Sequence, residues 1–193
     1  MKNIIIFGAP GSGKGTYSAA IVERFGMGHI STGDVLRAEI KQGTPLGQVA
    51  KGYIDNGQLI PDDLMISILA SVYDAQPEGR GVVFDGFPRT IAQAEALKDM
   101  LAQRGHDMGM MIELIVDEET LVARLLRRAI EEGRADDNEA TIKKRFAVYA
   151  NQTAPLAEWF QKEGIRHTFD WSVLKTKEGM IQAILTTIEA ENK

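Results

Sequence analysis

A glycine-rich segment near the N-terminus holds the residues best suited to chemistry. Residues 8–16 read GAPGSGKGT and follow an apolar run over residues 3–7. Glycines let successive backbone N–H groups approach an anion without obstruction by side chains. A helix that begins at this turn directs the positive end of its dipole at the same anion. Lys14 adds a mobile positive charge, so the segment predicts a site for the β- and γ-phosphates of a nucleotide.

The setting of this segment, between a buried strand and a helical pattern, is that of the P-loop motif. The motif ordinarily has Ser or Thr directly after the lysine, but here Gly15 follows Lys14 and the hydroxyl comes one residue later, at Thr16. We therefore expect Thr16 to contact Mg²⁺ through water. Asp85 ends a second apolar run, GVVFD, at a position where P-loop proteins hold Mg²⁺ or its waters, so we expect it to hold the metal through water.

Arginine is concentrated in one region of an acidic chain. The formal net charge is −5, which argues against nucleic acid as the main partner. The clustered arginines are Arg124, Arg127, Arg128, Arg134 and Arg145. Such a cluster indicates a local anionic ligand, and its alternative interpretation is a solvated helix face.

Length and composition predict an ordinary globular domain. The chain has 193 residues, of which 44% are hydrophobic and 25% charged, and it has no cysteine. Disulfides, thiolate metal sites and a cysteine nucleophile are therefore excluded, which fits a reducing cytosol, and we expect a cytoplasmic protein. No apolar stretch approaches the ~20 residues that span a bilayer, and the N-terminal apolar run is too short for a signal peptide.

Short β-branched runs alternate with longer helical patterns, which predicts a parallel sheet flanked by helices. Strands are expected at residues 3–7, 81–84 and 110–116, with shorter ones at 29–30 and 167–169. Helices are expected to begin in the glycine-rich turn, near residues 31, 61, 90, 117 and 137, and at residue 177. The polar segments 32–60 and 127–137 lie between core elements and are predicted to be inserts.

Two further motifs identify a family resemblance. Residues 85–90 read DGFPRT and residues 31–37 read STGDVLR. Together with GAPGSGKGT, these strings resemble the nucleoside monophosphate kinases, and among them the adenylate kinase family. The resemblance covers the whole chain and continues through YANQTAPLAEWF at residues 149–160. Only about a dozen residues, near 127–137, occupy the place of the longer lid found in many bacterial members, so the chain resembles the short form.

The resemblance implies a fold, an activity and partners. The fold would be an α/β P-loop NTPase of three layers, with a five-stranded parallel sheet in one kinase domain over residues 1–193. Small inserts at 31–60 and 127–137 would form the region that binds the nucleoside monophosphate and a short lid. The activity would be reversible, Mg²⁺-dependent transfer of the ATP γ-phosphoryl group to AMP, which gives two ADP and serves adenine nucleotide homeostasis. The partners would be ATP, AMP and ADP, and the protein would be a monomer without membrane or nucleic-acid partners.

The resemblance also implies residue roles. ATP binding falls to Gly11, Ser12, Gly13, Lys14, Gly15, Thr16, Arg124, Arg128 and the backbone near Val173. AMP binding falls to Thr32, Arg37, Gln58, Leu59, Ile60, Gly86, Phe87, Pro88, Arg89, Gln93, Arg134 and Arg145. The catalytic set is Lys14, Arg89, Arg124, Arg134 and Arg145. Tyr17 replaces the glutamine that the family usually has after GKGT.

The sequence leaves three alternative functions to compare with adenylate kinase activity. A UMP/CMP kinase would share the fold and mechanism, but Thr32 and Gln93 occupy positions where those relatives usually have a smaller residue and an asparagine, and both favour adenine. A P-loop switch for guanine nucleotides needs an NKxD string, which the chain lacks. A binding module without catalysis would not need so many charges on one phosphate chain. An acceptor that is already an oxyanion needs no general base, which agrees with arginines in place of a His/Asp pair.

Overall fold

The computed structural model describes residues 1–77, 79–134 and 137–192. Five parallel strands form one sheet in the order β2-β3-β1-β4-β5. The strands are β1 (Ile4–Gly8), β2 (Gly28–Ser31), β3 (Val82–Asp85), β4 (Met110–Ile115) and β5 (Arg166–Asp170). The predicted α/β fold with a five-stranded parallel sheet is confirmed, and all five strands lie where the sequence placed them.

Helices cover both faces of the sheet. They are α1 (Lys14–Phe25), α2 (Thr32–Gln42), α3 (Pro45–Asp55), α4 (Asp62–Asp74), α5 (Ile91–Ala102), α6 (Glu118–Glu132), α7 (Glu139–Val148), α8 (Leu156–Lys162), α9 (Trp171–Leu174) and α10 (Lys177–Glu191). A short π-helical stretch, Tyr149–Thr153, lies between α7 and α8. In the part of the chain that the structure describes, no helix is long and apolar enough to cross a membrane.

The core consists of two apolar layers, one on each face of the sheet. Successive residues of a strand point to opposite faces, so Ile4 and Ile6 of β1 join one layer while Ile5 and Phe7 join the other. The first layer includes side chains from α1 and α10, and the second includes side chains from α4, α5 and α8. Because both faces are covered, all five residues of β1 are buried, as is usual for a parallel sheet.

The carboxyl ends of the strands are followed by capped helices. Ser31, Thr90 and Asp117 each accept a hydrogen bond from a backbone N–H in the first turn of α2, α5 and α6 respectively. Such caps satisfy N–H groups that have no partner within the helix, and each stabilises its helix by ~1 kcal/mol. The caps fix where each helix leaves the sheet, and therefore where its first residues face the site.

The first predicted insert contains a closely packed pair of helices, α2 and α3. A Cβ added at Gly47 of α3 would lie 2.2 Å from the carbonyl oxygen of Glu39 in α2, so only glycine permits this approach. Thr44 caps α3 and its hydroxyl also contacts Glu39. The two helices pack as one unit that is joined to β2 at one end and to α4 at the other.

The second predicted insert, residues 127–137, is partly helical. Helix α6 continues to Glu132 and ends at Gly133, which adopts the left-handed conformation with φ of 64°. Ala135 and Asp136 lie outside the described residues. Because no glycine or proline interrupts α6 before Gly133, Arg127 and Arg128 lie on the same helix as Arg124.

Candidate active site

The P-loop joins β1 to α1 at the carboxyl edge of the sheet. Gly11 and Gly13 have φ values of 84° and 98°, a region that residues with a Cβ rarely adopt. Gly13 is the N-cap of α1, and no side chain accepts a hydrogen bond from the first turn of that helix. The backbone N–H groups there are therefore available to an anion, and the helix dipole favours one at this position.

Lys14 lies over the same loop. Its Nζ donates to the carbonyl oxygens of Gly8, at 2.9 Å, and Ala9, at 3.1 Å. Loss of hydration lowers the pKa of Lys14 to about 7, although the charge of Asp85 acts in the opposite direction. The arginines Arg89, Arg145 and Arg128 lower this pKa further. A phosphate group placed among these cations would restore the charge of Lys14 by supplying the missing negative partner.

Asp85 ends β3 beside the P-loop. Its Oδ2 lies 3.8 Å from the position that a Cβ on Gly15 would occupy, and also 3.8 Å from Nε2 of His29. Within the described ranges, no cluster of three or more acidic, histidine or cysteine side chains could hold a metal. A single carboxylate next to a phosphate site suits a metal that is bound mainly by phosphate and water.

A cavity on the β2 and β3 side of the P-loop collects most residues that the sequence assigned to AMP. Its lining includes Thr32, Arg37, Gln58, Leu59, Ile60, Gly86, Phe87, Arg89, Gln93 and Arg145. Pro88 lies in an adjoining recess together with Lys14, and Arg134 lies in the larger cleft described below. Apolar side chains that the sequence analysis did not name, among them Leu36, Ile54 and Met65, complete the cavity.

Gln93 is held in a defined orientation in this cavity. It is 2% exposed, its Oε1 accepts from the backbone N–H of Arg89 at 2.7 Å, and its Nε2 donates to Asp62 at 2.7 Å. An amide side chain has two N–H donors and two acceptor lone pairs, so one donor and one lone pair remain. The remaining N–H donor and acceptor lone pair of Gln93 are complementary to a purine edge that presents one acceptor and one donor side by side.

Two arginines, one on α6 and one on α7, share a buried carboxylate. Arg128 donates to both carboxylate oxygens of Asp137, at 2.6 and 2.8 Å, and Arg145 donates to Oδ1 at 2.7 Å. The Asp137 side chain is completely buried. Burial alone raises the pKa of Asp137, but the Arg128 hydrogen bonds and the charges of Arg128, Arg145 and Arg134 lower it more, so it lies below its ordinary value.

The remaining predicted ATP-side residues occupy two different environments. Arg124 lies beside the P-loop, where its Nη1 donates to the carbonyl oxygen of Ser12 at 3.4 Å. Ser12 is buried, and its hydroxyl has no partner within the described chain. The side chain of Val173 is 72% exposed and does not line the cleft, while the prediction for this position concerned its backbone.

Tyr17 supports the P-loop from the core. A Cβ on Gly13 would lie 2.9 Å from Cε2 of the Tyr17 ring, and the ring belongs to the apolar layer that also contains Ile21. The replacement of the usual glutamine thus places an aromatic ring directly under the loop.

A single cleft of about 650 Å³ joins these parts. Its lining combines P-loop residues with cations from four helices. The predicted residues that line it are Gly11, Gly13, Lys14, Gly15, Thr16, Arg37, Asp85, Gly86, Arg89, Arg124, Arg128, Arg134 and Arg145. The cleft therefore brings the five residues of the predicted catalytic set to one place, next to the cavity that contains Gln93.

Several residues of the site were missed from the sequence. Asp137 and Asp62 lie in helix-start contexts, where an acidic residue is ordinarily explained as capping. Trp171 and Lys177 also line the cleft, but they come from the region after β5, for which the sequence offered only a weak motif. The pairing of Asp137 with Arg128 and Arg145 cannot be recognised from the sequence, because the fold brings these side chains together.

These features define a class of protein. A P-loop that faces a second cavity across a cleft lined with arginines fits a phosphotransferase that holds two nucleotides. The sequence profile of the adenylate kinase family matches residues 6–165. This chain belongs to the adenylate kinase family.

Curated adenylate kinases are similar in sequence to this chain over most of its length. An adenylate kinase from Phocaeicola vulgatus is 67% identical over 164 residues, which is 85% of this chain and 87% of that protein. One from Bacteroides fragilis is 60% identical over 189 residues, which is 98% of this chain and 99% of that protein. One from Porphyromonas gingivalis is 51% identical over 167 residues, or 86% of each chain. The chain is accordingly a phosphotransferase of the nucleoside monophosphate kinase type.

Proposed function

We propose that this chain transfers the γ-phosphoryl group of ATP to AMP, reversibly and with two ADP as products, and so maintains the balance of adenine nucleotides. The observation that carries the proposal is the cleft that joins the P-loop to the cavity around Gln93. ATP would place its phosphates on Gly11–Thr16 and Lys14, and AMP would place its base against Gln93. The two phosphate chains would then meet among the arginines.

The reaction requires positioning and charge stabilisation more than acid–base chemistry. The attacking oxygen belongs to the AMP phosphate, which is already negatively charged, so no side chain needs to remove a proton. Arg89 and Arg37 would hold that phosphate, because a guanidinium matches phosphate oxygens with two parallel N–H bonds. Lys14, Arg134 and Arg145 would stabilise the charge that spreads over the transferred group, and Arg124 and Arg128 would contact ATP.

Asp137 would change partners during this cycle. Its carboxylate forms ion pairs with Arg128 and Arg145. Phosphate oxygens would compete with that carboxylate for the same guanidinium groups. Asp137 therefore keeps two cations close together, at the place where the substrates later supply negative charge.

Mg²⁺ is the cofactor that we propose. Phosphate oxygens and water would be its direct ligands, while Asp85 would accept hydrogen bonds from its water and Thr16 would contact it through water. When bound, the ion neutralises charge on the phosphates and helps to orient them. The chain's own contribution is to present the Asp85 carboxylate beside Gly15.

We also propose that residues 1–193 act as one kinase domain with two movable inserts, 31–60 and 127–137. Closure of a lid is an established feature of this class of enzyme, and it excludes water that would otherwise accept the phosphoryl group. We expect the protein to act as a monomer. A cytoplasmic location and the lack of nucleic-acid and membrane partners stay predictions.

The test is a comparison of phosphate acceptors. With ATP as donor, kcat/KM is measured for AMP, dAMP, CMP, UMP and GMP. We expect AMP to exceed CMP and UMP by about two orders of magnitude or more, because a wrong base leaves the buried Gln93 amide unpaired. A preference for CMP or UMP would instead assign the chain to UMP/CMP kinase activity.

A further inference from the structure

The topology fixes the direction in which the donor nucleotide runs. The acceptor cavity lies beside β2 and β3, and the P-loop follows β1 in the centre of the sheet. If the two phosphate chains meet between them, the base of the donor must lie on the far side of the P-loop, beside β4 and β5. The residues of the cleft on that side are Arg124 of α6, Trp171 of α9 and Lys177 of α10.

Arg124 and Trp171 are stacked on one another there. The guanidinium carbon of Arg124 lies 4.3 Å from the centroid of the Trp171 ring, well within cation–π distance. The other contact of this guanidinium is the 3.4 Å hydrogen bond to the carbonyl oxygen of Ser12, which ties it to the P-loop. Arg124 is only partly buried and lines the cleft together with Trp171, so part of its guanidinium is open to a ligand there.

Trp171 has a fixed position. It is the first residue of a single helical turn in which the Asp170 carboxylate accepts from the Ser172 N–H at 2.8 Å. Its own carbonyl oxygen accepts from the Lys175 N–H at 2.8 Å, and its indole packs against the apolar layer under the sheet. The ring can therefore hold the plane of a flexible arginine side chain that would otherwise sample several rotamers.

We propose that Trp171 is a positioning residue for the donor nucleotide: it holds the Arg124 guanidinium flat, so that the base of ATP stacks on the exposed face of that group. The inference rests on the proposed function and adds to it a residue that none of the sequence motifs contains. Arg124 thus acts on the base, whereas the arginines whose charges most affect Lys14 are Arg89, Arg145 and Arg128.

The experiment separates recognition of the base from recognition of the phosphates. Binding of the non-hydrolysable ATP analogue AMP-PNP and of inorganic tripolyphosphate is measured by calorimetry with the wild-type chain, Trp171→Leu and Trp171→Phe. We expect Trp171→Leu to weaken AMP-PNP about fivefold and to leave tripolyphosphate unchanged, because only the former has a base to stack. Trp171→Phe, which keeps an aromatic face, should restore most of the affinity.

The other tryptophan provides a matched control. Trp159 also lies under a cation, with Nζ of Lys98 at 5.9 Å from its ring centroid, but it belongs to α8 and does not line the cleft. Trp159→Leu should leave the affinity for AMP-PNP unchanged. In steady-state assays, Trp171→Leu should raise KM for ATP with little change in KM for AMP.

A fluorescence measurement completes the test. Since the chain has two tryptophans, Trp159→Phe leaves Trp171 as the sole indole, and its emission should change with AMP-PNP but not with tripolyphosphate. Equal weakening of both ligands by Trp171→Leu, or no weakening of either, would overturn the inference while AMP phosphorylation by the wild-type chain still supports the proposed function. Lack of AMP phosphorylation by the wild-type chain would overturn the function itself.

Discussion

Asp137→Asn tests whether a buried carboxylate holds the arginines together. Removing one partner of a buried ion pair costs about 3–5 kcal/mol. The Arg128 and Arg145 side chains are 25% and 18% exposed, and asparagine can still accept one hydrogen bond, so we expect the lower end, about 3 kcal/mol. For a chain of this size such a loss corresponds to a decrease in Tm of roughly 6–12 °C.

Urea and thermal unfolding of the substrate-free variants measure this effect. Glu132→Gln is the matched control, since Glu132 pairs with Arg134 at 2.8 Å in the same region, but its carboxylate is 52% exposed. We expect that change to cost less than about 1 kcal/mol. If Asp137→Asn were no more destabilising than Glu132→Gln, the buried carboxylate would not be what stabilises the arginine cluster.

The ion pairs of Asp137 also predict that stability depends on pH. The folded-state pKa of Asp137 lies below its unfolded value, so its stabilising contribution is complete above the unfolded pKa of about 4 and is lost as the pH falls through the folded-state pKa. The difference in unfolding free energy between the wild-type chain and Asp137→Asn should therefore be constant near neutral pH and should shrink in acid.

Three further predictions concern the substrates. The pKa of Lys14 is about 7 because the ammonium group is desolvated, so ATP binding at pH 8 should take up a proton; calorimetry in buffers of different ionisation enthalpy should show this for the wild-type chain and not for Lys14→Arg, and buffer-independent heats in the wild-type chain would contradict it. Gln93→Glu places a second carboxylate beside Asp62 and should raise KM for AMP at least tenfold with little effect on KM for ATP; an unchanged KM for AMP would remove Gln93 from base recognition. Arg89→Ala and Arg134→Ala should each lower kcat by about two orders of magnitude or more, while each variant still unfolds in one cooperative transition. Turnover near the wild-type value in either variant would show that the arginine is dispensable.

Much of the fold could be predicted because its signals are local. The central strands β1, β3 and β4 are short, mainly apolar runs, and several helices begin at a residue whose side chain caps them, such as Thr90 and Asp117. The P-loop was recognisable because its glycines, its lysine and the preceding strand lie next to one another in the sequence. Residue pattern and structure coincide wherever the interaction spans only a few positions.

The parts of the site that the sequence did not reveal depend on contacts between distant elements. Trp171 is separated from Arg124 by the whole of α7, α8 and β5, and in its neighbourhood the sequence assigned only the backbone near Val173 to ATP. Gln93 on α5 donates a hydrogen bond to Asp62 on α4. Such pairings are determined by the order of strands in the sheet, and single-sequence patterns do not encode that order.

The tight approach of Gly47 to the Glu39 backbone has a mechanical consequence. Two helices whose main chains touch cannot slide past one another, so the hairpin of α2 and α3 must rotate as one body. Any rotation is then confined to its two connections, one with β2 and one with α4. One of them includes Gly57, whose Cα region lies against Lys144 and Arg145 of α7. Swinging of this hairpin over AMP would therefore press directly on the helix that carries Arg145, which links arrival of the acceptor to the placement of a charge on the reacting phosphate.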